Sequence, residues 1–222
     1  MSTGRGSAPS SADAPDPPKY FSQEEGAGDP EPVDVRPIPF EKRAGLVDAL
    51  AALRVRVFAE YPYLYEGDLA YEREYLAPIV EDQEATLIGA FDQDRLVGAS
   101  TGTRLLRHDP AFATALASQD WDLSAVYYCA ESVLLPAYRG QGLGHRFFDL
   151  REQSARASGY RISTFCAVLR KGPMPPDYRP LDGFWRKRGY MPVPGAIAQF
   201  AWKDLGESAE TEKPLQFWAR NL

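Results

Sequence analysis

The stretch LLPAYRGQGLGHRFFDL, residues 134–150, constrains this chain more than any other. It places glycines at 140, 142 and 144 directly behind Arg139, with hydrophobic residues on both sides. Glycine is a poor helix former, yet a helix starts inside this run. Glycine there serves a close approach to the backbone or a left-handed turn. The first amides of a helix lack internal acceptors and point outward at the positive end of its dipole. Strand, glycine turn and helix start together make a cradle for an anion, phosphate above all. Arg139 adds positive charge beside it.

The rest of the chain frames that turn. Residues 1–31 are rich in Pro, Gly, Ser and Ala. They offer little to bury, so they are expected to be a disordered tail ahead of one domain, 32–222. VDVRPI (33–38) alternates as a half-buried strand. Residues 44–61 and 69–80 have helical spacing, and 85–92 with 95–106 read as a hairpin around Gln93–Asp94. Residues 109–123 look helical or irregular. AVYYCAESVLL (125–135) is a nearly continuous apolar run, hence a strand buried on both faces. A helix from about Gly142 to Gly159, a strand at 161–168, a proline-rich loop at 169–181 and a short helix at 182–190 follow. Segments 196–205 and 214–222 alternate as two last strands. This order describes an α/β (α+β) chain, with a mixed sheet and helices on both faces.

Composition narrows the function classes. Lys+Arg total 25 against 31 Asp+Glu, a net charge of -6 with no long basic run, which argues against nucleic acid or an anionic membrane as partner. No stretch of about 18 apolar residues is present to span a bilayer, and the N-terminus lacks a secretory pattern. The expected location is cytoplasmic. Cys129 and Cys166 are expected to be reduced core thiols. With His108 and His145 they have no metal-ligand spacing, so no metal is expected.

Three readings of the glycine turn compete. It is a plain turn; or a dinucleotide fingerprint, although Phe147 stands where the third glycine belongs and the strand comes late in the chain; or a nucleotide P-loop, although the Lys-Ser/Thr pair is missing. A fourth accounts for more of the sequence. The run resembles motif A of the GNAT superfamily, the acyl-CoA-dependent N-acyltransferases, with Arg139, Gly142 and Gly144 on the pattern Arg/Gln-x-x-Gly-x-Gly/Ala. FWRKRGY (184–190) resembles that family's Phe-Tyr-x-x-x-Gly-Phe segment, and the order of elements from about residue 33 resembles its fold.

The resemblance implies a mostly antiparallel sheet of six to seven strands with a splayed central parallel pair. It implies acetyl-CoA as co-substrate, with the pyrophosphate at Arg139, Gly140, Gln141, Gly142, Leu143, Gly144 and His145. The pantetheine arm would lie along the backbone of Val133, Leu134 and Leu135, with 164–168 as the facing wall. The implied chemistry is direct attack of a neutral amine on the thioester. Glu131, the only acid inside 125–135, is the candidate base; the plainer role for it is a structural carboxylate paired with an arginine or pointing to solvent. Trp185 stands where the family has its acidic tyrosine, and an indole N–H is no substitute. Tyr178 is the replacement candidate, with Tyr190 or solvent as alternatives.

The tyrosine- and carboxylate-rich connection 60–76 is expected to wall the acceptor site, where aromatics with acids suit a cationic amine. Tyr63, Tyr65, Glu66 and Asp68 are its candidate substrate contacts; Tyr71, Glu72 and Glu74 read as an ordinary solvated helix face. The loop 169–181 is expected to overhang the site, with Arg170, Lys171 and Arg179 able to meet the coenzyme's phosphates or an acidic group on the acceptor. The leading function is an N-acetyltransferase for a small-molecule primary amine; a protein or peptide acetyltransferase and a non-catalytic acyl-CoA sensor are the alternatives. Phe200, Trp202, Phe217 and Trp218 supply apolar surface for a homodimer interface or for the core.

Overall fold

The computed structural model describes residues 32–222; the expected tail, 1–31, lies outside the described residues. The chain runs through β1 (Asp34–Pro37), a short helix α1 (Phe40–Arg43), α2 (Val47–Phe58) and α3 (Leu69–Glu81). Strands β2 (Thr86–Asp92) and β3 (Arg95–Arg104) form the expected hairpin. Gln93 takes φ 54°, the left-handed conformation that a two-residue hairpin turn needs at its first position. Helix α4 (Pro110–Leu116) follows, with Pro110 at its first position and the Asp109 side chain accepting from the Ala111 amide. Then come β4 (Val126–Leu134), α5 (Leu143–Ala157), β5 (Ile162–Val168), α6 (Asp182–Lys187), β6 (Met191–Trp202) and β7 (Thr211–Asn221).

The seven strands form one sheet in the order β1-β2-β3-β4-β5-β7-β6, and only β4 and β5 are parallel. Alternation along β4 divides the core between the two faces. Val126 and Tyr128 pack with Phe112 and Leu116 of α4 and with Phe217. Tyr127 and Cys129 pack with Phe148 and Ala155 of α5 and with Trp218. Burying each of the Val, Leu and Phe side chains among these stabilises the fold by about 1.5–3 kcal/mol.

The central pair parts soon after it forms. β4 meets β5 only at Val126–Ile162, Tyr127–Ser163 and Tyr128–Thr164. Beyond those positions each strand keeps its outer neighbour alone, β3 for β4 and β7 for β5. A bulge sits at the parting: from Thr103 to Thr101 on β3, the partner on β4 steps from Tyr128 to Glu131. The extra residue bends β4 and sharpens its twist, which turns it away from β5.

Several boundaries differ from the sequence reading. β6 starts at Met191 rather than 196; Pro192 and Pro194 are tolerated because β6 is an edge strand. Helix α2 ends at Phe58 rather than 61. Trp202, Phe217 and Trp218 are buried within the domain and Phe200 partly so, which puts these rings in the core rather than on an interface. Both cysteines are free. Among the described residues no helix is long and apolar enough to cross a membrane.

Candidate active site

The glycine turn joins β4 to α5. Gly140 has φ 78° and Gly142, the N-cap of α5, φ 82°. A Cβ at either position would meet nothing within 4 Å, so glycine is required by conformation while the space before the turn stays open. The amides of His145 and Arg146 return to the Gly142 carbonyl. Among the described residues, the amides of Gly140, Gln141, Gly142, Leu143 and Gly144 donate to no protein acceptor. A Cβ on Gly144 would meet only the Phe184 ring, at 3.6 Å.

The side chains around this turn are engaged. Arg139 Nη1 lies 2.7 Å from Glu60 Oε2, and its Nε donates to the Leu134 carbonyl at 3.1 Å. The expected phosphate cation is thus tied to the end of the α2 segment and to β4. His145 is exposed, edge-on to Phe184, with Nδ1 3.2 Å from Arg188 Nη1.

Register decides which groups of β4 face the gap. Val133 stands opposite Ala99, and the Leu135 amide donates to the Val97 carbonyl. In an antiparallel pair the hydrogen-bonded positions alternate, so Val133 and Leu135 spend their backbone groups on β3. Ser132 and Leu134 turn theirs to the open side. Of the three residues expected to offer free backbone, only Leu134 does, and through its amide alone, since its carbonyl accepts from Arg139; Ser132 joins it.

Beyond the gap is a cavity of about 340 Å³. Tyr63, Tyr65, Glu66 and Asp68 all line it, together with Glu131. Each also has a local task. The Asp68 side chain caps α3 by accepting from the Ala70 and Tyr71 amides. Glu66 pairs with Lys203 at 3.0 Å. The Tyr63 ring packs on Phe58 and Trp202, and its carbonyl accepts from Trp202 Nε1 at 3.0 Å. Burial holds the Tyr63 hydroxyl well above the ordinary phenol range; burial and the Glu72 carboxylate do the same to Tyr65.

The polar floor of the cavity is a buried ion cluster. Arg54, from the apolar face of α2, bridges Glu72 through Nε and Glu131 through Nη1. Its guanidinium also lies over the rings of Phe58 and Tyr75, 4.9 and 4.3 Å from their centroids. The side chains of Arg54, Glu72 and Glu131 are 9%, 0% and 7% exposed. Glu131 is therefore paired with an arginine, and its Oε1 also accepts from the Thr101 hydroxyl at 3.2 Å. Glu72 is corrected from a solvated residue to a wholly buried one, and its Oε1 makes no hydrogen bond of ordinary geometry. Arg54 escapes the sequence reading altogether; its one signal is a cation at a buried position of an apolar helical run.

Two more groups touch the cavity. His108 is sandwiched between Phe112 and Tyr128, both 4.7 Å away, and burial pushes its pKa down to about 4. Cys166 lies 3.1 Å from the Tyr128 hydroxyl, and burial pushes its thiol up to about 12, which removes it as a nucleophile. Among the described residues no cluster of His, Cys, Asp and Glu could hold a metal ion.

The candidate acids stand apart from the cavity wall. Tyr178 packs edge-on against Tyr61 at 4.7 Å, and burial and Tyr61 raise its pKa. Tyr190 is fully buried, with its hydroxyl 2.7 Å from Ser163 Oγ. Trp185 packs against Phe165 and Trp218. Arg170, at the head of loop 169–181, donates to the Pro62 and Tyr63 carbonyls and pairs with Asp204 at 2.5 Å. It clamps the cavity wall to the end of β6.

Comparisons with known proteins agree with this architecture. The model of a family described as acetyltransferase (GNAT) matches residues 51–171. A putative acetyltransferase from Acinetobacter baylyi ADP1 superposes with a TM-score of 0.59 at 14% identity, over 86% of this chain and 93% of that one. Ribosomal-protein-alanine N-acetyltransferase from Brucella melitensis gives 0.56 at 12%, over 85% and 99%. A GNAT superfamily phosphinothricin acetyltransferase from Sinorhizobium meliloti, solved in complex with AcCoA, gives 0.53 at 14%, over 86% and 88%. At these identities the likeness is one of fold. No curated protein matches the sequence.

Proposed function

The chain belongs to the GNAT acetyltransferase family and is an acyl-CoA-dependent acetyltransferase; from that premise we propose that it moves an acetyl group from acetyl-CoA to the primary amine of a small molecule. One observation carries the reading. A single stretch of chain, 130–144, supplies cavity wall at Ala130 and Glu131, free strand edge at Ser132 and Leu134, and five unpaired amides at 140–144. Those three surfaces answer to an amine, an amide-bearing arm and a pyrophosphate, in that order.

In this reading residues 139–145 hold the pyrophosphate, chiefly through main-chain N–H groups at the positive end of α5. The open space before Gly140 and Gly142 fits a bulky anion. The Leu134 amide and the Ser132 backbone satisfy the polar groups of the pantetheine arm as a neighbouring strand would, with Val133 and Leu135 shaping the wall. That the structural neighbour from Sinorhizobium meliloti was solved with AcCoA supports acetyl-CoA as the co-substrate.

Acetyl-CoA supplies an activated thioester carbonyl. The chain must bring an amine to it in neutral form. Glu131 takes the amine's proton: it follows the cavity-lining Ala130 and precedes the free edge, and a carboxylate already bonded to Arg54 and Thr101 keeps acceptor capacity. Tyr178, a phenol that carries its proton at neutral pH, donates to the departing sulfur in place of the missing tyrosine at 185.

The fastening of the 62–63 segment by Arg170, beside the cavity that Tyr63 lines, supports a small acceptor over a peptide. Calorimetric titration with acetyl-CoA, followed by thiol release with small amines and with a free-N-terminus peptide, tests the reading. Binding should be tight, and small amines should outrun the peptide. A peptide faster than every small amine would overturn the small-molecule assignment. Binding without transfer to any amine would overturn the transfer reaction.

A further inference from the structure

Resting on that reading, we infer that Glu72, rather than Glu131, seats the acceptor's ammonium group, and that the acceptor has an aryl or alkyl body and no carboxylate. The inference starts from unused valence in the ion cluster. Both Glu131 oxygens are engaged, Oε2 by Arg54 and Oε1 by the Thr101 hydroxyl. Glu72 gives Oε2 to Arg54, while Oε1 makes no hydrogen bond of ordinary geometry although the Tyr65 hydroxyl stands close to this carboxylate, on a side chain that is 0% exposed and lines the cavity. An acceptor buried without a donor is destabilising, the more so when charged. A donor brought in by a ligand removes that destabilisation.

The charge count points the same way. Two carboxylates share one guanidinium, so the cluster carries one negative charge in excess. Around the whole cavity five carboxylates face two cations. Neither cation is idle: Arg54 lies between Glu72 and Glu131, and Lys203 pairs with Glu66. Arg170, the loop cation best placed to meet an acidic group, is consumed by Asp204 and by two main-chain carbonyls. A carboxylate on the substrate would find both cations here already paired. The remaining wall is apolar, with Phe58, Tyr63, Tyr75, Phe200, Trp202 and Leu215 facing the space. Such rings suit an apolar body and the cation it carries.

The test uses three probes matched in shape: 2-phenylethylamine, 2-phenylethanol without the charge, and phenylalanine with an added carboxylate. Each is titrated calorimetrically into the full chain loaded with coenzyme A, which reads the cavity whether or not transfer follows. The amine should bind at least about tenfold tighter than either analogue, as a charge-assisted bond of about 1.5–3 kcal/mol requires. In Glu72→Gln the amine should fall to the level of the alcohol with coenzyme affinity unchanged; in Glu131→Gln the gap between amine and alcohol should persist. Alcohol or phenylalanine binding as tightly as the amine to the unaltered protein would overturn the inference, even if Glu72→Gln fails to fold. So would a gap abolished by Glu131→Gln alone. An amine bound as expected but never acetylated would instead overturn the transfer reaction and leave the ammonium seat standing.

Discussion

Replacing Gly142 by alanine puts a number on the cradle. Gly142 has φ 82° at the start of α5, and a Cβ there would meet nothing within 4 Å. The added methyl therefore carries no steric cost from neighbours; its cost is conformational. Holding an L-residue left-handed costs about 1–2 kcal/mol. That strain has two places to appear. If the turn keeps its shape, the folded chain carries the strain, and Tm falls by about 2–8 °C at the shift per kcal/mol usual for this size. If the turn relaxes, the amides of 140–144 cease to converge, and acetyl-CoA affinity drops by about 5–30-fold. Differential scanning fluorimetry and calorimetric titration on one preparation read both. Gly183→Ala is the control, since that glycine also has no neighbour within 4 Å and is not left-handed. A Gly142→Ala protein matching the control in both Tm and affinity would refute the argument that main-chain conformation at 142 builds the site.

Four further outcomes follow from the site. Glu131→Gln should lower kcat by about 10²-fold with acetyl-CoA affinity unchanged; an undiminished kcat would remove Glu131 from the chemistry. Tyr178→Phe should lower kcat at least about tenfold, measured by thiol release at saturating substrates, and an equal rate would leave the sulfur to solvent. Arg54→Met strands two buried carboxylates, so stability should fall by about 3–5 kcal/mol, or about 6–20 °C in Tm; a loss under about 2 °C contradicts the ion cluster. His108 has a folded pKa pushed down to about 4, by burial first, with Asp109 opposing and Arg54 assisting. Its unfolded imidazole takes a proton near 6.5 and the folded one does not, so stability present above 6.5 drains away as pH falls toward 4, by up to about 3 kcal/mol. His108→Phe should flatten the Tm profile over that window, and parallel profiles would refute the burial argument.

How much of this is legible in the sequence depends on how local the cause is. The glycine turn is legible because only glycine sits easily near φ +80°, and the strand before it because an unbroken apolar run has two faces to hide. The start of β6 is not, since Pro192 and Pro194 speak for a loop until the strand's place at the sheet edge is known. Glu72 is misread for a related reason. Helical spacing says which residues share a face of α3, but not what that face meets; the partners of Glu72 and Arg54 arrive from α2, α3 and β4 together. The choice between Ser132 and Val133 has the same character. Alternation along a strand is a property of the chain, while its phase belongs to the pairing with Ala99.

The three-rung join between β4 and β5 has a mechanical consequence. The sheet behaves as two plates, β1–β4 and β5–β7, welded at one end and free at the other. With so few rungs in the weld, the width of the opening is set by what wedges and straps the plates. The wedge is the aromatic stack of Phe112, Tyr128 and Phe217 at the welded end, and the strap is Arg170 with Trp202 on the carbonyls of Pro62 and Tyr63. Side-chain volume at sites remote from any substrate thereby becomes a gauge screw for the slot. Trimming one ring would narrow or skew it by fractions of an ångström while every ladder bond stayed intact.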